Sequence, residues 1–140
     1  MFILVIHGPN LNMLGERETD IYGTQTLESI NSDIQKKAES LGVSVETFQS
    51  NSESDIIEKI QISGTKASGI IINAGAFTHY SIAIRDALSL TSCTKIEVHI
   101  SNIHKREAFR KESVTASVCQ GQILGLGAKG YLFALEFLAS

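Results

Sequence analysis

Apolar and polar positions follow two rhythms along this chain. Phe2-Ile-Leu-Val-Ile6 is an unbroken apolar run, as expected of a strand covered on both faces, and Gly69-Ile-Ile-Ile-Asn73 repeats it. Val43 to Phe48, Lys95 to Ser101 and Gln122 to Leu126 read as three further strands. Between them the period becomes helical. Leu27, Ile30, Ile34, Ala38 and Leu41 form one stripe that stops at Gly42. Ile56, Ile57 and Ile60 form a second, behind a Ser52–Asp55 capping box. Ser81 to Leu90 carries Ile82, Ile84, Ala87 and Leu88, and Tyr131 to Ala139 is a closing helix. The segment from His7 to Gly23 is polar, glycine-rich and reads as a loop.

Strands alternating with helices predict βαβ units, and so a parallel sheet with helices on both faces. Five strands in 140 residues match the flavodoxin-like doubly wound α/β order 2-1-3-4-5, as a single domain over residues 1–140. Ligands in such sheets bind beyond the carboxyl ends of the strands, here just after Ile6, Ile72 and Val98. Those ends are polar. Strand 3 runs into Asn73-Ala-Gly-Ala-Phe-Thr-His79, and strand 4 into His104-Lys-Arg106-Glu-Ala-Phe-Arg110. Within strand 4 the period of two puts Ile96, Val98 and Ile100 on one face and Glu97, His99 and Ser101 on the other. Asparagines, histidines and arginines thus collect at one sheet edge, which suits a polar, anionic small molecule. Singly, each has a plainer reading. Asn10 and Asn12 suit turns, His79 a helix cap, and His99 a satisfied half-buried imidazole. His99 beside Glu97 is the strongest pair, because an imidazole next to a carboxylate is a common acid/base arrangement.

Composition removes several other classes. With 43% apolar and 19% charged residues the chain is an ordinary globular one, and a net charge of −3 argues against a dedicated nucleic-acid binder. The apolar run at Phe2–Ile6 is too short for an export signal or a membrane span, so a cytoplasmic protein with reduced Cys93 and Cys119 is expected. Gly125-Leu-Gly-Ala-Lys-Gly130 spells GxGxxG, but no strand or ribose-binding acid follows, so the glycines are read as a strand-to-helix turn. Four histidines and two cysteines lack HExxH or CxxC spacing, and no metal is expected. The closing helix is apolar on more than one face, with Glu136 its only charge, so it is either deeply buried or part of a subunit interface.

Four segments resemble the signatures of the type II dehydroquinases, in order and nearly end to end. They are Gly8-Pro-Asn-Leu-Asn-Met-Leu-Gly-Glu-Arg17 with Tyr22-Gly23; Gln49-Ser-Asn51; Asn73 to His79 with Arg85-Asp86-Ala87; and Glu97 to Arg110. The chain departs from the pattern at Ala74 and Thr19 (usually proline), at Tyr80 (commonly threonine) and at Ser52-Glu-Ser54. The resemblance implies reversible dehydration of 3-dehydroquinate to 3-dehydroshikimate, by anti elimination through an enolate, without metal or Schiff base. This is a step of the shikimate pathway toward aromatic amino acids, and the residues read equally for quinate breakdown. It implies that Tyr22 is the base, Arg17 its electrostatic activator, and Asn12 with a water the enolate stabiliser. His99 is the acid and Glu97 orients it. Asn73, His79, Ile100, Ser101 and Arg110 form the substrate-binding set, with Arg106 supporting the lid. Asp86 reaches a neighbour's site in a dodecamer of four trimers.

Elementary chemistry fits these roles. A free tyrosine is only about 0.1% ionised at neutral pH, so a tyrosine base needs a cation beside it that never loses its charge. A flavin carrier would show a Ser/Thr-rich phosphate loop after strand 1, where this chain has His7-Gly-Pro-Asn10. A phosphoacceptor domain would end strand 3 on Asp, where Asn73 stands. A Schiff-base dehydroquinase resembles an eight-stranded barrel, which 140 residues cannot build.

Overall fold

The two apolar runs pair with each other at the middle of a five-stranded sheet. The computed structural model describes residues 1–16 and 18–140. Strands β1 (Phe2–His7), β2 (Ser44–Gln49), β3 (Gly69–Asn73), β4 (Thr94–His99) and β5 (Gly121–Leu124) are all parallel, in the order β2-β1-β3-β4-β5. The helices are α1 (Thr19–Tyr22), α2 (Leu27–Leu41), α3 (Glu53–Ile62), α4 (Ile82–Ser89) and α5 (Lys129–Ala139). Because successive side chains alternate across the pleat, Ile3, Val5, Ile71, Ile96 and Val98 face α2 and α5. Leu4, Ile6, Ile70 and Ile72 face α3 and α4. Both faces are dry, which is why β1 and β3 could be written without polar residues. Thr26, Ser52 and Ser81 cap α2, α3 and α4 by accepting from the N–H three residues on, each worth about 1 kcal/mol. No helix among the described residues is long and apolar enough to cross a membrane.

The connection from β1 covers one face with α2, and that from β3 covers the other with α4. The chain therefore diverges between the carboxyl ends of β1 and β3, leaving a crevice. Its wall is tight: Gly8 N–H donates to Asn73 O at 2.7 Å, and a Cβ on Gly8 would stand 2.3 Å from Ala74 O. No side chain fits there.

Two expectations shift at the sheet's far side. β4 stops at His99 and not Ser101, and β5 stops at Leu124. The cause is the glycine turn: Gly125 N–H reaches His99 O (3.2 Å) and Ser101 O (3.1 Å), and Gly127 N–H reaches Ile100 O (3.1 Å). These bonds fold the turn over the end of β4 and end the ladder. Gly125 has φ 81°, and a Cβ there would meet Asn102 at 3.1 Å, so the literal GxGxxG is the strand-to-helix turn expected. α1 and the 3₁₀ turns at Leu11–Met13 and Gly75–His79 fall in segments read as loop or left unassigned. Turns this short carry no apolar period to reveal them. α5 buries Tyr131, Ala134, Leu135 and Leu138 and leaves Phe133 and Phe137 45% and 58% exposed, so it serves the core and still shows an apolar outer side.

His7, the last residue of β1, is fully buried against Tyr131 and Asn31. Burial pushes its imidazole down from the ordinary 6.5 to about 4, against the raising effect of the Asn31 hydrogen bond. Between pH 4 and 6.5 the folded His7 is thus neutral while the unfolded one is protonated. Stability is present above that window and lost as pH falls through it, by roughly 3 kcal/mol in full. The melting temperature should fall on acidification from pH 6.5 to 4, and His7→Gln should flatten that limb. An unchanged slope in the variant would refute the assignment.

Candidate active site

A cavity of about 100 Å³ opens at the carboxyl ends of β1, β3 and β4. Seven of the residues singled out in the sequence line it: Tyr22, Asn73, His99, Ile100, Ser101, Arg106 and Arg110. The loop after β1 forms another wall, with Pro9, Asn10 and Leu11. That loop is clamped from β2. Asn51 Oδ1 accepts from Asn10 N–H (2.9 Å) and Gln49 Nε2 (3.2 Å), and Gln49 Nε2 also donates to Gly8 O (3.1 Å). The Gln49-Ser-Asn51 signature thus has a mechanical reason, since Asn10 is held in the left-handed region at φ 67°.

Behind the cavity lies a carboxylate–imidazole pair. Glu97 is fully buried on β4. Its Oε1 accepts from Thr78 (3.0 Å), Ser113 (3.0 Å) and Thr115, and its Oε2 from Gln122 Nε2 (2.6 Å) and His99 Nε2 (3.0 Å). Burial alone would push the carboxyl up. The hydrogen bond and charge of His99, then Thr115 and Gln122, outweigh it and hold the group low, at about 2. An ionised carboxylate only accepts, so His99 Nε2 carries the hydrogen toward Glu97. The ring's Nδ1 has no hydrogen-bond partner among the described residues, and the ring lines the cavity. This leaves one nitrogen free to exchange a proton with an occupant while the other is held.

The cavity lining is also cationic. The Arg106 guanidinium lies over the Tyr22 ring, 5.1 Å from its centroid, and donates to Ser101 Oγ at 3.3 Å. It also approaches Glu18 and Glu107 at 4.0 and 3.9 Å. Arg110 forks onto both Glu107 oxygens at 3.2 Å. A half-buried phenol under a guanidinium and an imidazole backed by a carboxylate line the same cavity, and so can offer a base and an acid to one ligand. Two arginines in the wall favour an anionic one.

Other singled-out residues stand further off. Arg17 lies outside the described residues. Asn12 is exposed, beside the lining residue Leu11. His79 is half-buried with Nδ1 donating to Glu112 O at 2.8 Å, and it does not face the cavity. Asp86 is exposed on α4 and makes no ion pair among the described residues. The side chains that sequence reasoning missed are the donors to Glu97 and the fully buried Tyr131. Gln122 was within reach of strand order alone, because it stands beside Glu97 in the β4–β5 register. Among the described residues no three His, Cys, Asp or Glu side chains converge as metal ligands. Cys119 is no nucleophile at neutral pH, since burial and then the Glu97 charge push its thiol up to about 12.

The dehydroquinase class II family model matches residues 1–139. A 3-dehydroquinate dehydratase of Halothermothrix orenii is 57% identical over 138 residues, covering 99% of this chain and 93% of that protein. One from Lachnospira eligens is 61% identical, covering 97% and 94%. The crystal structure of the type II dehydroquinase from Butyrivibrio crossotus superposes with a TM-score of 0.97 at 54% identity, covering 100% of this chain and 98% of that one. A more distant 3-dehydroquinate dehydratase-like protein from Bifidobacterium longum still reaches a TM-score of 0.74 at 27% identity. With the family model spanning nearly all of its length, the chain belongs to the class II dehydroquinase family.

Proposed function

We propose that this chain is a 3-dehydroquinate dehydratase: a cytosolic hydro-lyase of one domain, acting without cofactor in the shikimate pathway. The observation that carries the reading is one cavity, in a chain of this family, lined by a tyrosine under an arginine and by a carboxylate-backed histidine. The Tyr22 phenolate takes a proton from the carbon beside the substrate ketone. The electron pair of that C–H bond moves onto the ketone oxygen as an enolate, which Asn12 and a water stabilise. When the ketone re-forms, the C–O bond of the neighbouring hydroxyl breaks on the opposite face, and His99 gives that oxygen a proton. The products are a conjugated enone and water. Tyr22, now protonated, and His99, now neutral, are reset by a proton passing from one to the other through solvent.

Arg106 sits within cation–π distance of Tyr22, and Arg17 is the second cation in this scheme. Glu97 keeps the His99 ring oriented, its Oε2 accepting from His99 Nε2 at 3.0 Å. Asn73, Ile100, Ser101 and Arg110 receive the substrate's hydroxyls and carboxylate, with His79 nearby. Asp86 belongs to a neighbour's site in a homododecamer built as a tetramer of trimers. The exposed Phe133 and Phe137, and Asp86's position away from its own cavity, are consistent with such an assembly.

Three tests follow this scheme step by step. Purified protein mixed with 3-dehydroquinate should generate the ultraviolet absorbance of a conjugated enone, and Tyr22→Phe should lower kcat by at least about 1,000-fold, the worth of a well-placed general base. A Tyr22→Phe enzyme within about tenfold of wild type would remove Tyr22 as the base. His99→Ala should suppress dehydration more than exchange of the substrate's acidic hydrogen with solvent deuterium. Equal loss of both would make His99 a binding residue. For assembly, light scattering should report a mass many times 15.2 kDa, and Asp86→Ala should raise KM or lower kcat. A fully active monomer would sink the shared-site scheme.

A further inference from the structure

Tyr131 sits in the sequence as one member of an apolar stripe, and the scheme above makes no use of it. Its ring is fully buried on α5, yet its hydroxyl lies against the carboxyl ends of β1 and β3. There it is 3.0 Å from Asn73 Nδ2 and 3.0 Å from His7 Nδ1, and His7 Nε2 is 2.8 Å from Asn31 Oδ1. Asn31 and His7 belong to α2 and β1, and the four side chains therefore tie two strands to both helices of that face.

The direction of every bond in this chain is determined. Gly75 N–H, 3.2 Å from Asn73, can only donate, so the Asn73 atom facing it is Oδ1. Asn73 Nδ2 then donates to the Tyr131 oxygen. Tyr131 has one hydrogen, and it goes to His7 Nδ1. His7, kept neutral by burial, carries its own hydrogen on Nε2 and gives it to Asn31 Oδ1. Reading from the Asn31 end yields the same tautomer, because a carbonyl oxygen only accepts. No member can rotate its amide or change tautomer without opposing two donors or stranding a buried polar atom. Asn73 is 3% exposed and lines the cavity, and its second N–H has no partner among the described residues.

We propose that Tyr131, held by His7 and Asn31, is a positioning residue: it fixes the Asn73 amide so that its remaining N–H is presented to an oxygen of the bound substrate. This rests on the reading of Asn73 as a substrate contact. Tyr131 touches no substrate itself. Phenylalanine would fill the same volume and leave Asn73 Nδ2 without its acceptor, so the amide would be free to turn.

The experiment compares wild type, Tyr131→Phe, Asn73→Ala and the double variant in steady-state dehydration of 3-dehydroquinate, and adds a crystal structure of Tyr131→Phe. Tyr131→Phe should raise KM about tenfold, the worth of one well-made hydrogen bond, with a smaller change in kcat and an unmoved pH profile. In the Asn73→Ala background the same substitution should change KM by less than about twofold, because the residue it acts through is gone. An unchanged KM in Tyr131→Phe, or an undiminished effect in the double variant, overturns the proposal. If Tyr131→Phe does not fold, His7→Leu, which strips Tyr131 of its acceptor, is carried through the same comparison and decides it. If wild type shows no dehydration, the functional reading falls on its own. The crystal structure then decides the positioning role: an Asn73 amide swung away from Gly75 N–H supports it, and an unmoved amide overturns it.

Discussion

Burying an ionised carboxylate inside a sheet is costly unless its oxygens are met by donors, and the loops of this protein are arranged around that demand. Glu97 draws Thr78 from the turn after β3, Ser113 and Thr115 from the segment after Arg110, and Gln122 from β5. Each of those segments is thereby pinned next to the cavity. Arg85 on α4 fastens the same stretch from outside, donating to Val114 O at 3.0 Å and Ser117 Oγ at 2.6 Å. The hydroxyl cage keeps the charge on Glu97, and the charge keeps His99 in one tautomer. Without the cage a carboxyl this deep would be pushed toward its neutral form. The pair would then lose the asymmetry between its two ring nitrogens.

The two faces of the sheet solve different electrostatic problems. On the side of α3 and α4, Glu97 and His99 form a pair built on a buried carboxylate. On the side of α2 and α5, His7, Tyr131 and Asn73 form a chain in which every group is neutral. Strand pairing brings the two together, because His7 and Asn73 are partners across β1–β3 and β4 lies next to β3. One cavity thus receives an ionic group from one side and a neutral hydrogen-bonding group from the other.

Much of this was legible in the chain. Strands β1 and β3 were written as apolar runs because both their faces are covered, and the order of the sheet followed from alternation of strands with helices. His99 and Glu97 were found because the period of two puts them on one face of β4. What stayed hidden depends on contacts between distant segments. The stretch Glu112-Ser-Val-Thr-Ala-Ser117 has no period at all, and nothing in it announces that Thr115 is fully buried against a carboxylate. Tyr131 was concealed for the opposite reason: its ring obeys the apolar stripe of α5 so well that its hydroxyl went unread. The alternation in the sequence carries β4 on to Ser101, but a turn more than twenty residues later takes the carbonyls of His99 and Ser101 and ends the strand at His99. Asp86 is exposed on α4 and makes no ion pair among the described residues, so one chain gives no signal of what it contacts.

The crowding at Gly8 has a meaning for how this site can be altered. A side chain at Gly8 meets the backbone of Ala74 at 2.3 Å, and one at Gly75 meets Pro9 O at 3.1 Å, so the wall of the cavity is backbone pressed on backbone. Rotamer changes cannot relieve such contacts. At Gly23, beside the tyrosine, nothing stands within 4 Å, and only the backbone, at φ 80°, favours glycine. A designer who wanted this cavity to hold a differently shaped ligand would find no adjustable part between β1 and β3. The adjustable parts are the segment around α1 and the mostly exposed run from His104 to Lys111.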